Sequence, residues 1–300
     1  MTTRMKQGIV AFGVGFALMT GAAAAESFRI STGSQGGSWF PLGGAIKNFI
    51  EKASPGTKVS VMPGAGIANV KGVQKGKFPV AFANSVSTVD GIEGRAPFKS
   101  KLDKVCNLGT LYPQYLQVIA LKSAGIKTIA DFKGKALTTQ PRGNTGEQMA
   151  RVLLGAYGMT YKDMSKVHQV SYNDAVALLK DNHAQAFVLG TALPAGSVMN
   201  IATARDIMVV PVPKAIYDDL KKVNPAFQFT KVPAGSYPGV DKDVPAVAYA
   251  THVIAGCDVS EAIGYKVLTA IADNIDDLAS ITKSMKGLTI KMMGADIGVP

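Results

Sequence analysis

Residues Ser27–Ser85 read SFRISTGSQGGSWFPLGGAIKNFIEKASPGTKVSVMPGAGIANVKGVQKGKFPVAFANS. The pattern alternates between two periods. FRIST is a short strand. After a glycine loop, Pro41 suits the first turn of a helix, and Leu42, Ala45, Ile46, Phe49 and Ile50 follow helical spacing. TKVSVMP is a second strand, GAGIANVKGVQKG a glycine turn entering a helix, and FPVAFAN a third strand ending at Asn84-Ser85. This β-α-β-α-β order predicts a parallel sheet with crossover helices.

Downstream, KVCNLGTLYPQYLQVIALK reads as two extended pieces around Pro113, after which the alternation restarts. DFKGKALTTQ, KVHQVS, AQAFVLG and DIMVVPV give strands. EQMARVLLGAYG, NDAVALLKD, PAGSVMNIATA and PKAIYDDLKKVNP are helices. FTKVPAGSYPGVDKDVP, rich in proline and glycine, reads as a surface excursion. AVAYATHVIAG is extended, and SEAIGYKVLTAIADNID is a closing amphipathic helix. Two α/β units joined by extended segments predict two lobes with a cleft between them. In open parallel sheets ligands sit beyond the carboxyl ends of strands, and each glycine-polar loop in this chain falls at such a point.

Upstream, Arg4 and Lys6 precede the apolar run GIVAFGVGFALMT, and small residues follow to Ala25. This predicts a signal peptide over residues 1–25, cleaved to leave an exported, periplasmic chain. The formal charge is +11, or +9 without Arg4 and Lys6. Between Ser27 and Val89 seven basic residues face the single acid Glu51. Such a field attracts anions. The lysines are spread singly, without a basic run or interleaved aromatics, which argues against nucleic acid. Cys106 and Cys257 can pair in an oxidising compartment or stand as two separate buried residues, and spacing does not choose between these. His168, His183 and His252 lack a metal-ligand spacing, so neither metal nor cofactor is expected.

The first loop joins Gly33, Ser34, Gln35, Gly36, Gly37, Ser38 and Trp39 without one charge. Glycines let backbone N–H groups approach a ligand, and a helix N-terminus adds unpaired donors and about half a positive charge. The second loop repeats the device with Gly64, Gly66 and Asn69. Asn84 and Ser85 end a strand with two short polar groups. Arg142, Gly143, Asn144, Thr145 and Gly146 open another helix, with Arg142 as a candidate bidentate clamp on a carboxylate. Thr191 lies in a fifth strand-to-helix turn. No loop matches G-x-x-x-x-G-K-[ST], G-x-G-x-x-G or G-x-S-x-G, and no catalytic acid–base pair can be nominated.

Four segments resemble the TAXI family of solute-binding proteins, the extracytoplasmic receptors of TRAP transporters. They are TGSQGGSWFPLGGAI, PGAGIANV, SAGIKTIADFKGKAL with GNTGEQMARVLLGAYGM, and VPAGSYPGVDKDVPAVAY. The similarity runs from Phe28 to the C-terminus. It implies the two-lobed type II periplasmic-binding-protein fold, an α/β architecture in which each lobe is a sheet flanked by helices and the ligand cleft lies between them. It also implies docking on a membrane-embedded permease. Trp39 and Phe40 stand where the family usually has two tyrosines, Asn84 where glutamine is usual, and Val86 where aspartate is common, which implies a retuned pocket.

The expectation is a monomeric, non-catalytic receptor that delivers a small anionic solute, a carboxylate or an amino acid such as glutamate, to a TRAP permease. Lobe I would comprise residues 27–113 and 246–300, lobe II residues 114–245. The alternatives are a receptor for an ATP-driven importer, an exported α/β enzyme such as a transferase, and a sensory or assembly subunit.

Overall fold

The computed structural model describes residues 26–300, so the expected signal peptide lies outside the described residues. The first block alternates β1 (Ser27–Ser31), α1 (Trp39–Ala53), β2 (Lys58–Met62), α2 (Gly66–Gln74), β3 (Val80–Asn84) and α3 (Ser85–Glu93). The long strand β4 (Val105–Leu121) leads into β5 (Ala136–Thr139), α4 (Thr145–Ala156), β6 (Lys166–Gln169), α5 (Tyr172–Lys180), β7 (Ala186–Thr191), α6 (Gly196–Ala202), β8 (Ile207–Val209) and α7 (Lys214–Val223). β9 (Gln228–Val232) and β10 (Val244–Gly256) return the chain to α8 (Glu261–Ala272), α9 (Ile275–Ile281) and α10 (Ile290–Met293).

The strands form one curled mixed sheet in the order β2-β1-β3-β10-β4-β7-β5-β6, with β8 on β4 and β9 on β10. β1, β2 and β3 are parallel, as are β5, β6 and β7. Between these blocks β4 and β10 run antiparallel, from Val247 opposite Leu116 to Gly256 opposite Val105, with register shifts near His252. β3 is buried along its whole length, as the near-continuous apolar run of a sheet covered on both faces requires. In α1, Leu42, Ile46 and Ile50 recur every four residues and face β1, β2 and β3. Each such side chain contributes roughly 1.5–3 kcal/mol by leaving water. Val267 and Ile271 of α8 complete that core from the far end of the chain. A second core packs α4 against β4, β7 and β10 through Met149, Leu153, Val118, Val188 and Tyr249.

Three elements depart from the sequence reading. β4 is one strand of seventeen residues, not two pieces. Pro113 is exposed within it and precedes the pairing with β7, which starts at Tyr115, so the missing N–H costs no bond on that side. α3 follows β3 without any turn residue, and β9 lies inside the segment read as a surface excursion. Val86 of α3 packs in the second core and Ala192 in the first, so apolar contact crosses between the blocks.

His252 sits on β10, fully buried, with Nε2 2.8 Å from Thr88 Oγ1 and Nδ1 3.1 Å from Asn107 Oδ1. Burial holds its pKa down to about 3, below the ordinary value near 6.5 of an unfolded chain. Between those values the unfolded chain binds the extra proton, so stability is full above about pH 6.5 and falls as pH drops toward 3. His252→Gln is expected to lose less of its urea midpoint between about pH 7 and about pH 4.5 than the parent. Equal losses would assign the acid sensitivity to other groups.

Candidate ligand-binding site

A cavity lies where the carboxyl ends of the two parallel blocks face each other. From the first block its wall takes Gly33, Ser34, Gly37, Ser38, Trp39, Gly66 and Asn84. From β4 onward it takes Gln114, Gln140, Asn144, Thr145, Gly146, Tyr172, Gly190 and Thr191. None of these carries a formal charge at neutral pH. Its volume is about 30 Å³, room for a few waters.

Helices α1, α2, α3 and α4 all begin at this wall. Their N-caps are Ser38, Ala65, Asn84 and Asn144, and none makes a side-chain capping bond. Of the other helices, α5, α8 and α10 are capped, Ser171 accepting from Asp174 N–H, Ser260 from Ile263 N–H and Thr289 from Met292 N–H, whereas α6, α7 and α9 are not. The cavity therefore faces four helix ends whose first-turn N–H groups receive no acceptor from their own caps. Each such end carries partial positive charge.

Two wall groups are buried without hydrogen-bond partners, Trp39 Nε1 and Asn84 Oδ1. The Trp39 residue is 6% exposed and Asn84 3%. Leaving such a group unmade costs about 1–3 kcal/mol. Trp39 is fixed by packing, its ring 5.7 Å from that of Phe82. Tyr172 is immobilised differently: its hydroxyl donates to Gly190 O (3.2 Å) and accepts from Gln140 Nε2 (2.8 Å). Burial pushes the Tyr172 phenol well above its usual range, so it stays neutral. Tyr112, behind Ser38, is pushed up to about 12 by burial, and the two hydroxyls lie 3.1 Å apart.

The mouth is closed by contacts between the blocks. Ser34 Oγ donates to Asn144 Oδ1 (3.3 Å), Ala68 N–H to Gly143 O (3.3 Å), and Ser87 and Thr145 share a hydroxyl bond of 2.8 Å. One glycine permits this approach and another the packing behind it, within the second block. A Cβ at Gly66 would overlap Thr145 Oγ1, and one at Gly146 would overlap Gln140 Oε1 and crowd Gly190 N.

Several residues read from the sequence as ligand contacts lie elsewhere. Gln35 and Gly36 are exposed on the outside of the first loop. Asn69 turns away into the sheet. Its Oδ1 accepts from Ser31 Oγ (2.8 Å) and Ala65 N–H (3.3 Å), and its Nδ2 donates to Thr32 O (2.6 Å) and Phe82 O (2.8 Å). Gly64 makes room for that amide. Ser85 is buried and accepts from Ala250 N–H (3.0 Å). Gly143 supplies its carbonyl to the closure. Arg142 is exposed, with Nε donating to Gln169 Oε1 (3.1 Å), so the cavity has no guanidinium clamp.

Conversely, Gln114, Gln140, Tyr172 and Gly190 line the wall but were not read as candidates. Gln140 and Gly190 adjoin loops whose later residues were chosen. The strand-to-helix position of Tyr172, after VHQVS, could have nominated it. Gln114 lies mid-strand and carries no local signal.

This arrangement, a curled α/β sheet with a cavity between two sets of strand ends, is the fold of the periplasmic binding proteins. Three solved structures show the likeness. One is the alkanesulfonate-binding protein SsuA from Xanthomonas axonopodis pv. citri bound to MOPS. It has TM-score 0.51 and 15% identity, with 88% of this chain and 79% of that one covered. The second is a putative L-cystine ABC transporter from Listeria monocytogenes, with TM-score 0.53, 18% identity and 87% and 97% covered. The third is a Xanthomonas citri protein bound to ATP, with TM-score 0.52, 10% identity and 89% and 93% covered. The chain belongs to the NMT1-like family, whose model matches residues 30–300.

Proposed function

We propose that the protein is an exported, monomeric receptor that binds a small anionic solute, a carboxylate or an amino acid, and delivers it to a TRAP-type permease. The observation that carries this reading is the convergence of four helix N-termini without side-chain caps on a buried cavity with no charged side chain in its wall. Such a wall offers an anion fixed N–H donors at low desolvation cost. Trp39 Nε1 would donate to the solute, and Asn84 would offer it a polar partner. The lobes would be residues 27–113 with 246–300, and residues 114–245. They would part by bending along β4 and β10, because a cavity of about 30 Å³ admits a solute only by opening. The resemblance of the four quoted motifs to TAXI receptors supports the TRAP assignment.

A thermal-shift series of dicarboxylates, keto acids and amino acids tests the proposal. A solute at a hundredfold excess over its Kd adds about 2.7 kcal/mol, a rise of several degrees in Tm, and its arrival should change Trp39 fluorescence. Trp39→Phe, which removes one donor to the anion, should weaken that solute about tenfold. If no small anion raises Tm and the fluorescence stays silent, the receptor reading fails.

A second reading couples the same receptor to an ATP-driven importer. It is favoured by the similar Listeria structure, described as a putative ABC transporter. Uptake into vesicles driven by an ion gradient supports the first reading, and uptake that requires ATP supports the second.

A further inference from the structure

Arg142, displaced from the cavity, lines a separate crevice. This crevice, about 440 Å³ in volume, lies between α2 and α4 and is bounded by Lys71, Pro97, Arg142, Glu147 and Arg151. Its three cations are held in place. Lys71 Nζ donates to Pro97 O (3.1 Å) and stands 5.1 Å from the Phe98 ring centroid. Arg142 is oriented by Gln169. Arg151 donates to Glu147 Oε1 (2.7 Å) and lies 4.3 Å over the Tyr161 ring. The buried Glu147 carboxylate is shared with Gln169 Nε2 (2.6 Å) and Tyr161 OH (3.2 Å). It offsets Arg151, while among the described residues Lys71 and Arg142 have no carboxylate within ion-pair distance. The crevice thus holds an excess of positive charge on side chains that are already positioned.

The crevice also spans the closure. Lys71 and Pro97 precede β4, and Arg142, Glu147 and Arg151 follow it. The two sides meet where Ala68 N–H reaches Gly143 O.

We propose that this crevice, to which both blocks contribute, is a docking surface for an acidic segment of the membrane partner. This rests on the receptor reading given above. The openness of the site favours a chain of carboxylates over a free ion. Arg142 and Arg151 are exposed, so water screens a single anion, whereas several carboxylates on one chain engage the three cations together.

The test uses a fluorescent hexaglutamate peptide and anisotropy at low ionic strength, with the mature protein, the pair Lys71→Gln/Arg142→Gln, and the control pair Lys283→Gln/Lys286→Gln outside the crevice. The crevice pair should bind the peptide about tenfold more weakly than the parent, the control pair should match the parent, and inorganic phosphate at equal concentration should not displace the peptide. Equal losses in both pairs, displacement by phosphate, or no binding to the parent would overturn the proposal. Should the crevice pair melt below the parent, Arg142→Gln alone gives the reading. The solute-dependent rise in Tm is a separate measurement, so failure of the receptor reading and failure of the docking surface are told apart.

Discussion

Replacing Asn69 with alanine is expected to lower the melting temperature by roughly 10 °C, from a loss of about 3–5 kcal/mol. The Asn69 residue is 1% exposed and its amide makes four hydrogen bonds. They tie β1, the start of α2 and β3 together in the one place where these elements converge. Alanine leaves two carbonyls, one N–H and one hydroxyl short of a partner in a region with little room for water. Ser34→Ala, by contrast, removes one weak bond of 3.3 Å at the cavity mouth and is expected to change Tm by no more than a few degrees. A thermal melt of both variants decides whether Asn69 is a strut or a ligand contact: an unchanged Tm for Asn69→Ala would refute the strut.

The second large effect concerns Cys106 and Cys257. They form a disulfide that joins the end of β10 to β4, with Cα atoms 5.0 Å apart and a sequence separation of 151. A cross-link closing so long a loop removes much of the entropy of the unfolded chain, and its loss typically costs 2–5 kcal/mol. The double variant Cys106→Ser/Cys257→Ser should therefore unfold at clearly lower denaturant, with a Tm about 5–15 °C below the parent. A midpoint equal to that of the oxidised parent would mean that the bridge adds nothing to the strand pairing already present. Reduced parent protein should behave like the double variant.

These two cases show what a linear sequence conveys. The pairing of the cysteines follows from the register of β4 on β10, where Cys106 lies opposite Ala255. That register is set by the fold of the residues between them, and the spacing alone leaves it open. Asn69, expected at the end of a glycine loop, lies in the first turn of α2, and whether its side chain points at the cavity or into the sheet depends on the neighbouring strands. Arg142 poses the same difficulty, since a loop position does not specify direction. The β-α-β-α-β order was legible because glycine loops punctuate it. α3 was missed because β3 passes into it through Asn84-Ser85 with no such punctuation, and β9 because proline and glycine follow it closely. Of the wall itself, the loops were legible and Gln114 was not, since a polar residue inside a long strand is ordinarily half exposed.

The uncapped helix ends have a consequence for how this cavity can change. Its positive character resides in main-chain N–H groups, which every residue except proline supplies. Substitutions at Ser34, Ser38, Trp39 or Asn84 alter the outline of the space and leave that character intact. The wall can therefore be rewritten one side chain at a time, with fit renegotiated at each step, while the polarity of the cavity passes unchanged from one version to the next.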